Sequence, residues 1–397
     1  MKNPFEFGRE LGPDELVDRE AELAAAVAAM TGAGKLFLIG PRRHGKTSIL
    51  RVAAERAREA GAAVLRYDAE AFPTLEQLAG RLLTDAATAL TGTVERAGKA
   101  IREFFASVRP QASYNATENA WSVTLAGAAG QAGGGGVPLL ADVLDGVERA
   151  AAKAGRPVAV VVDEFQKVVE AGGPEAEGQI RAAVQRHRHV GYVFAGSKTR
   201  LLADMTGSPN RPFYKLGEVR FLGPVPRADF AAFLERGFAS GGIAVRPGAV
   251  DAVLDAVDEV PYNVQLLAHA CWEACRADAA GSARGGTSGA PHPLTPELVV
   301  ETRDTVTLRN DPIYTQLWSS LTVSQQKALV ALIREAGAQL TSTAVARRYG
   351  LPVPTMQKAL KALEAKAVVR EEQSRGAVRL RLEDPLFGAW VELVVPR

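Results

Sequence analysis

Gly40-Pro41-Arg42-Arg43-His44-Gly45-Lys46-Thr47-Ser48 follows the apolar run Leu36-Phe37-Leu38-Ile39 and precedes a segment of helical spacing at residues 49–60. The stretch has the form G-x-x-x-x-G-K-[ST] with a strand expected before it and a helix after it, the context that a phosphate-binding loop requires. Gly40 and Gly45 let backbone N–H groups turn towards phosphate oxygens, and a helix start adds a favourable dipole. Lys46 has the reach for β- and γ-phosphates, and the Thr47 hydroxyl is a Mg²⁺ ligand by type. All of residues 40–48 are therefore assigned to nucleotide binding, and the sequence predicts a nucleoside triphosphate as ligand.

Working outward, Ala63-Val64-Leu65-Arg66-Tyr67-Asp68 reads as a second strand, and residues 75–108 and 139–154 have helical spacing. Val158-Ala159-Val160-Val161-Val162 is a continuous apolar strand that delivers Asp163 and Glu164 at its C-terminal end, where ligands of open α/β sheets bind. Asp163 is expected to hold hydrated Mg²⁺ opposite Thr47, and Glu164 to orient or deprotonate the water that attacks the γ-phosphate. An Asp-Glu pair would equally cap a following helix; the preceding phosphate loop favours the functional reading. A helix over 175–188 leads to the strand Gly191-Tyr192-Val193-Phe194-Ala195-Gly196 and then Ser197. That hydroxyl suits sensing of the γ-phosphate or the attacking water, and also an N-cap for residues 198–205. Arg200, Arg211 and Arg220 are candidates for neutralising transition-state charge, a role that a neighbouring chain can also fill. With a short strand at 218–222, the alternation of β and α segments implies a parallel sheet covered by helices on both faces.

A chain of 397 residues is long enough for two or three domains, and 47% hydrophobic with 23% charged residues is a globular composition. No run of about eighteen apolar residues is present, so no membrane span is expected. Met1-Lys2-Asn3-Pro4-Phe5-Glu6 has no apolar signal core, which predicts a cytoplasmic location. The formal net charge is only +2, so any nucleic-acid contact must come from a local patch. Cys271 and Cys275 lie four apart around Trp272, on one face of a helix, as core cysteines do. Within 110–136 a loosely alternating hairpin ends in Gly133-Gly134-Gly135-Gly136, read as a mobile surface insertion rather than a partner-contact loop. Residues 227–279 read as helical, and 281–296 as a Gly/Ser/Pro-rich linker.

In the last segment, residues 323–336 carry helical apolar spacing, Thr341-Ser342-Thr343 offers a cap for a second helix, and a third runs through residues 355–363. Strand-like Ala367-Val368-Val369-Arg370, a turn at Arg375-Gly376 and Val378-Arg379-Leu380-Arg381-Leu382 complete a winged-helix pattern, whose third helix would enter a DNA major groove. Residues 322–370 hold eight Lys/Arg against two acids, a local net charge of +6. Arg347, Arg348, Lys358 and Lys361 are the candidate DNA contacts. The same lysines and arginines would serve as a solvated helix face, and the third helix carries no Asn or Arg for direct base readout, only Gln357.

The chain resembles the archaeal-type ATPases, a branch of the STAND group of P-loop NTPases. The match runs in family order through Val17-Asp18-Arg19-Glu20 with Glu22-Leu23, the phosphate loop, and Val162-Asp163-Glu164-Phe165-Gln166. It continues through Phe194-Ala195-Gly196-Ser197, Pro212-Phe213-Tyr214, Pro261-Tyr262-Asn263 with Gln265-Leu266-Leu267, and Asp384-Pro385-Leu386-Phe387 with Trp390. The resemblance implies an ATPase core at 1–225, a helical lid at 226–280, a linker at 281–311 and a winged helix at 312–397. It implies that the Val17 and Arg19 segment and Pro261-Tyr262 flank the adenine base of ATP. Two positions depart from the family pattern: Glu259-Val260 stands where a glycine commonly precedes the lid proline, and Lys215 where arginine often follows the Phe-Tyr pair. The leading expectation is a Mg²⁺-dependent ATPase switch acting on a protein or DNA partner, with nucleotide-dependent self-assembly as the group's habit. A DNA-binding regulator with ATP or ADP as an allosteric ligand, and a small-molecule P-loop kinase, are the other readings.

Overall fold

The computed structural model describes residues 2–91, 110–115, 120–125, 136–197, 199–281, 291–374 and 377–395. Gly133 to Gly135, most of the 281–296 linker and the Arg375-Gly376 turn lie outside the described residues. The chain forms two compact units, Glu10–Gly223 and Met1–Arg9 with Pro224–Arg397.

The first unit is built on a parallel sheet of five strands, β1 (Lys35–Ile39), β2 (Ala63–Asp68), β5 (Val158–Asp163), β6 (Val190–Gly196) and β7 (Glu218–Phe221), in the order β2-β5-β6-β1-β7. Side chains alternate across each strand, and this period of two divides the core. Leu36, Leu38, Ala159, Val161, Val193 and Ala195 face α1 (Glu20–Thr31) and α2 (Lys46–Glu59). Phe37, Ile39, Val160, Val162, Tyr192 and Phe194 face α3 (Leu75–Thr91), α4 (Gly136–Ala154), α5 (Gln166–Arg186) and α6 (Thr199–Gly207). Both faces are covered, which is why β5 and β6 are buried at every position and read as unbroken apolar runs. The expected hairpin is present as β3 (Pro110–Asn115) paired antiparallel with β4 (Ala120–Leu125).

One element is longer than its sequence suggests. Helix was expected from residue 175, whereas the chain turns helical at Gln166 and is interrupted at Gly173, φ 67°, immediately before Pro174. Proline lacks the N–H that the helix needs, so the two stretches meet at a kink.

The second unit carries α7 (Arg227–Ser240), α8 (Ala249–Ala256) and α9 (Pro261–Gly281), then α10 (Pro296–Arg309) and α11 (Asp311–Ser319). The winged helix follows as α12 (Val323–Arg334), α13 (Thr343–Arg348), α14 (Val353–Ala365), the hairpin β8 (Val369–Ser374)–β9 (Ala377–Leu382) and α15 (Pro385–Val394). Thr322 and Gln325 form a capping box on α12, and the Ser342 hydroxyl accepts from the Val345 N–H to start α13. Cys271 and Cys275 are both buried on α9, and burial pushes their thiols up to about 12 and about 11. Among the described residues no helix is long and apolar enough to cross a membrane.

Candidate nucleotide site at the C-terminal edge of the sheet

Strand register brings the site together. Ile39 lies beside Gly196 and Phe221, Val162 beside Phe194, and Asp68 beside Asp163, so five connections leave the sheet at one edge. The N–H of Gly40 donates to the Gly196 carbonyl at 3.2 Å as the phosphate loop departs. A Cβ at Gly40 would stand 2.6 Å from the Leu222 Cβ, so the backbone of β1 passes β7 too closely for any side chain. Arg43 (φ 64°) and Gly45 (φ 86°) take left-handed conformations, and α2 begins directly after Gly45. Nothing lies within 4 Å of a Cβ built at Gly45, so its left-handed φ rather than crowding calls for glycine there.

The loop holds itself in shape. Lys46 is buried, and its ammonium donates to the carbonyls of Gly40 at 2.9 Å and Pro41 at 2.8 Å. Buried His44 donates from Nδ1 to the Arg42 carbonyl at 2.8 Å, and the Ser48 hydroxyl accepts from the Leu11 N–H at 2.9 Å. Arg42 is exposed and 3.7 Å from Glu70.

Thr47 donates its hydroxyl to Asp163 Oδ2 at 2.7 Å, which joins the first helical turn of α2 to the end of β5. Burial pushes the Asp163 carboxyl up from the ordinary carboxylate range, against the Thr47 hydroxyl, the Glu164 N–H and the Lys46 ammonium, which all favour its charged form. A buried carboxylate beside a hydroxyl is an all-oxygen donor set, the chemistry that hard Mg²⁺ selects. Glu164 has φ 48°, and its Oε2 accepts from the Ser197 hydroxyl at 2.8 Å and from Gln166 Nε2. Between them Phe165 is buried, its ring centroid 4.3 Å from that of Phe194. That anchor fixes the backbone on either side. Gln166 was quoted in the sequence only as part of a motif; the available signal was an amide two residues beyond the glutamate at the start of a helix.

The other predicted positions are spread more widely. Val17 is half-buried; Arg19 is buried, donates to the Gly223 carbonyl at 2.9 Å and lies 3.6 Å from Glu22. Pro261 opens α9, and the Tyr262 ring meets Phe7 edge-on at 6.3 Å. Arg211 is paired at 2.6 Å with Glu177, a carboxylate only 1% exposed whose pKa burial raises. Lys215 is exposed, with its ammonium 5.1 Å from the Tyr214 ring centre, and Arg220 pairs with Glu218. Arg200 lies in the first turn of α6; its side chain is outside the described residues. On the winged helix, Arg347, Lys358 and Lys361 are exposed, while Arg348 pairs with Glu335 at 2.7 Å.

A family model described as "Probable winged helix domain" matches residues 312–393. No curated protein matches the chain. Among solved structures, a Walker-type ATPase of Pyrococcus abyssi is similar over 98% of this chain and 99% of its own, with TM-score 0.57 and 17% identity. The ORC2 protein of Aeropyrum pernix, solved as ADPNP–ADP complexes, is similar over 98% and 96%, with TM-score 0.56 and 15% identity. At these identities the likeness establishes architecture. The chain has the P-loop ATPase fold, a parallel sheet between helices, followed by helices and a C-terminal winged helix.

Proposed function

We propose that the chain is a Mg²⁺-dependent ATPase of the STAND type, in which residues 1–225 bind and hydrolyse ATP, 226–280 form a lid, 281–311 a linker and 312–397 a partner-contacting winged helix. The observation that carries this reading is the Thr47–Asp163 hydrogen bond beside the Glu164–Ser197 contact, four polar side chains at the edge where the phosphate loop leaves the sheet.

Lys46 exchanges its two loop carbonyls for phosphate oxygens, while Thr47 and Asp163 hold Mg²⁺. Mg²⁺, when bound, supplies positive charge that offsets the charge developing on the phosphates. Glu164 accepts a proton from water as the new bond to the γ-phosphorus forms and the bond to the bridging oxygen of ADP breaks, giving ADP and phosphate. Ser197 senses the outcome, since its hydroxyl already touches that carboxylate. For neutralising charge, Lys215 is favoured over Arg211, because withdrawing Arg211 would strand the buried Glu177 at a cost of about 3–5 kcal/mol. ATP and ADP then differ in their contacts to the lid, and the winged helix passes that difference to a protein or to a second copy of the chain.

A second reading, a DNA-binding regulator, is favoured by three exposed basic side chains on α13 and α14 that make no ion pair among the described residues, Arg347, Lys358 and Lys361.

Phosphate release from ATP and Mg²⁺, with and without duplex DNA, tests both. Lys46→Ala is expected to lose binding of a fluorescent ATP analogue. Glu164→Gln is expected to bind it and to lose about 10²-fold or more in turnover. Wild-type hydrolysis by Glu164→Gln would remove Glu164 from its role. Stimulation by DNA would select the DNA-coupled reading, and indifference a switch awaiting a protein.

A further inference from the structure

Gln166 makes its contacts on one side only. Its Nε2 donates both to Glu164 Oε2 and to the Ser197 hydroxyl oxygen, the latter at 3.3 Å. Its own carbonyl, Oε1, is buried and has no hydrogen-bond partner among the described residues. The side chain is 1% exposed, so water does not reach the amide readily. Turning the amide over would set that carbonyl oxygen against the Glu164 carboxylate and the Ser197 oxygen, two acceptors. The amide is therefore locked with its N–H face towards Glu164, and the unpaired carbonyl is the cost of that orientation. Gly196 completes the seat, because a Cβ there would overlap Gln166 Oε1 and stand 2.6 Å from a Leu202 methyl.

The consequence lies in how Glu164 is held. Both donors, the Ser197 hydroxyl and the Gln166 amide, reach the same oxygen, Oε2. Oε1 of Glu164 makes no hydrogen bond among the described residues, so its lone pairs are not committed to a protein donor. A carboxylate pinned by one oxygen and open at the other is the geometry of an oriented general base.

We propose that Gln166 is a positioning residue for Glu164: its amide, seated against Gly196, fixes Oε2 so that Oε1 is presented to the attacking water. The proposal rests on the reading of Glu164 as the base. Its removal acts on turnover rather than on nucleotide affinity.

The test compares wild type with Gln166→Met, which keeps the length of the side chain and removes the amide, and with Glu164→Gln. Three quantities are read: affinity for a fluorescent ATP analogue, KM and kcat. The expected result for Gln166→Met is unchanged affinity and KM, with kcat lower by about tenfold to a hundredfold. A wild-type kcat overturns the proposal, and so does loss of analogue binding, which would make Gln166 a structural residue of the loop. Glu164→Gln separates the two readings. If it is inactive while Gln166→Met behaves as wild type, only the positioning role falls; if it hydrolyses ATP normally, the base assignment falls and the positioning role with it.

Discussion

Gly40 serves the fold before it serves a ligand. Its backbone runs against Leu222 at the end of β7, and an added Cβ would be 2.6 Å from one carbon of that residue and 3.3 Å from its carbonyl oxygen. Gly40→Ala therefore forces β1 and β7 apart, and overpacking of this kind costs about 1–3 kcal/mol. The expected outcome is a lower melting temperature with no nucleotide present, measured by calorimetry; an unchanged transition would mean that β7 yields freely. The glycine of the motif is legible in the sequence, but this reason for it is not, since Leu222 lies far along the chain. The same holds at Glu164, where spacing identified the carboxylate but not the amide of Gln166 that grips it.

Between elements, the other end of the sheet is tied by a buried histidine. His187, at the close of α5, lies 2.7 Å from the Tyr192 hydroxyl through Nδ1 and 2.7 Å from Asp145 Oδ1 through Nε2, which joins β6 to α4. Its carbonyl accepts from Lys35 at 3.1 Å, adding β1. A neutral imidazole satisfies all of these, with Nε2–H donating to Asp145 and Nδ1 accepting from the tyrosine. Burial lowers the His187 pKa, and the contacts with Asp145 and Glu148 offset this only in part. The folded state thus prefers the neutral ring. Stability from this group is fully present above the unfolded value of about 6.5 and is lost as pH falls from there towards the folded pKa. Urea midpoints at pH 7.5 and 5.5 are expected to drop in wild type more than in His187→Gln, whose side chain does not titrate; equal drops would clear His187 of the effect. Nothing in the sequence marked this histidine, because Asp145 lies 42 residues earlier and only packing of that helix brings it to the ring.

For the whole molecule, the C-terminal unit is closed by one carboxylate. Asp384 caps α15 through the Leu386 N–H at 3.1 Å, accepts from the Asn263 amide of α9 at 3.0 Å, and from the Tyr314 hydroxyl of α11 at 3.2 Å. Phe387 and Trp390 stack behind it at 5.9 Å, and Trp390 donates to Asp311 at 2.7 Å. Asp384→Ala removes the cap and strands a buried amide and a buried hydroxyl, for a cost of about 2–4 kcal/mol. Urea unfolding is expected to register that loss, and Asp384→Asn, which keeps an acceptor, a smaller one; equal losses would show that charge rather than hydrogen bonding closes the unit. The stretch around Asp384 and Trp390 stood out in the sequence as part of a resemblance, and tertiary structure supplies its physical meaning.

What the sequence determined by itself is local: the phosphate loop from Gly40 to Ser48, the strand that ends in Asp163 and Glu164, the β-then-α alternation, and the three helices and hairpin of the winged helix. Each depends on residues within a few turns of one another, where periodicity, glycine placement and caps act directly on the backbone. Strand order was decided only in the folded chain. Inserting β6 between β1 and β5 places Ser197 and Gly196 beside Glu164 and Gln166, and that insertion is driven by burial of both sheet faces. Pairing of the buried Glu177 carboxylate with half-buried Arg211, and seating of backbones, Gly40 beneath Leu222, are likewise long-range. A side chain's partner is set by packing across the sheet, and no pattern along the chain encodes it.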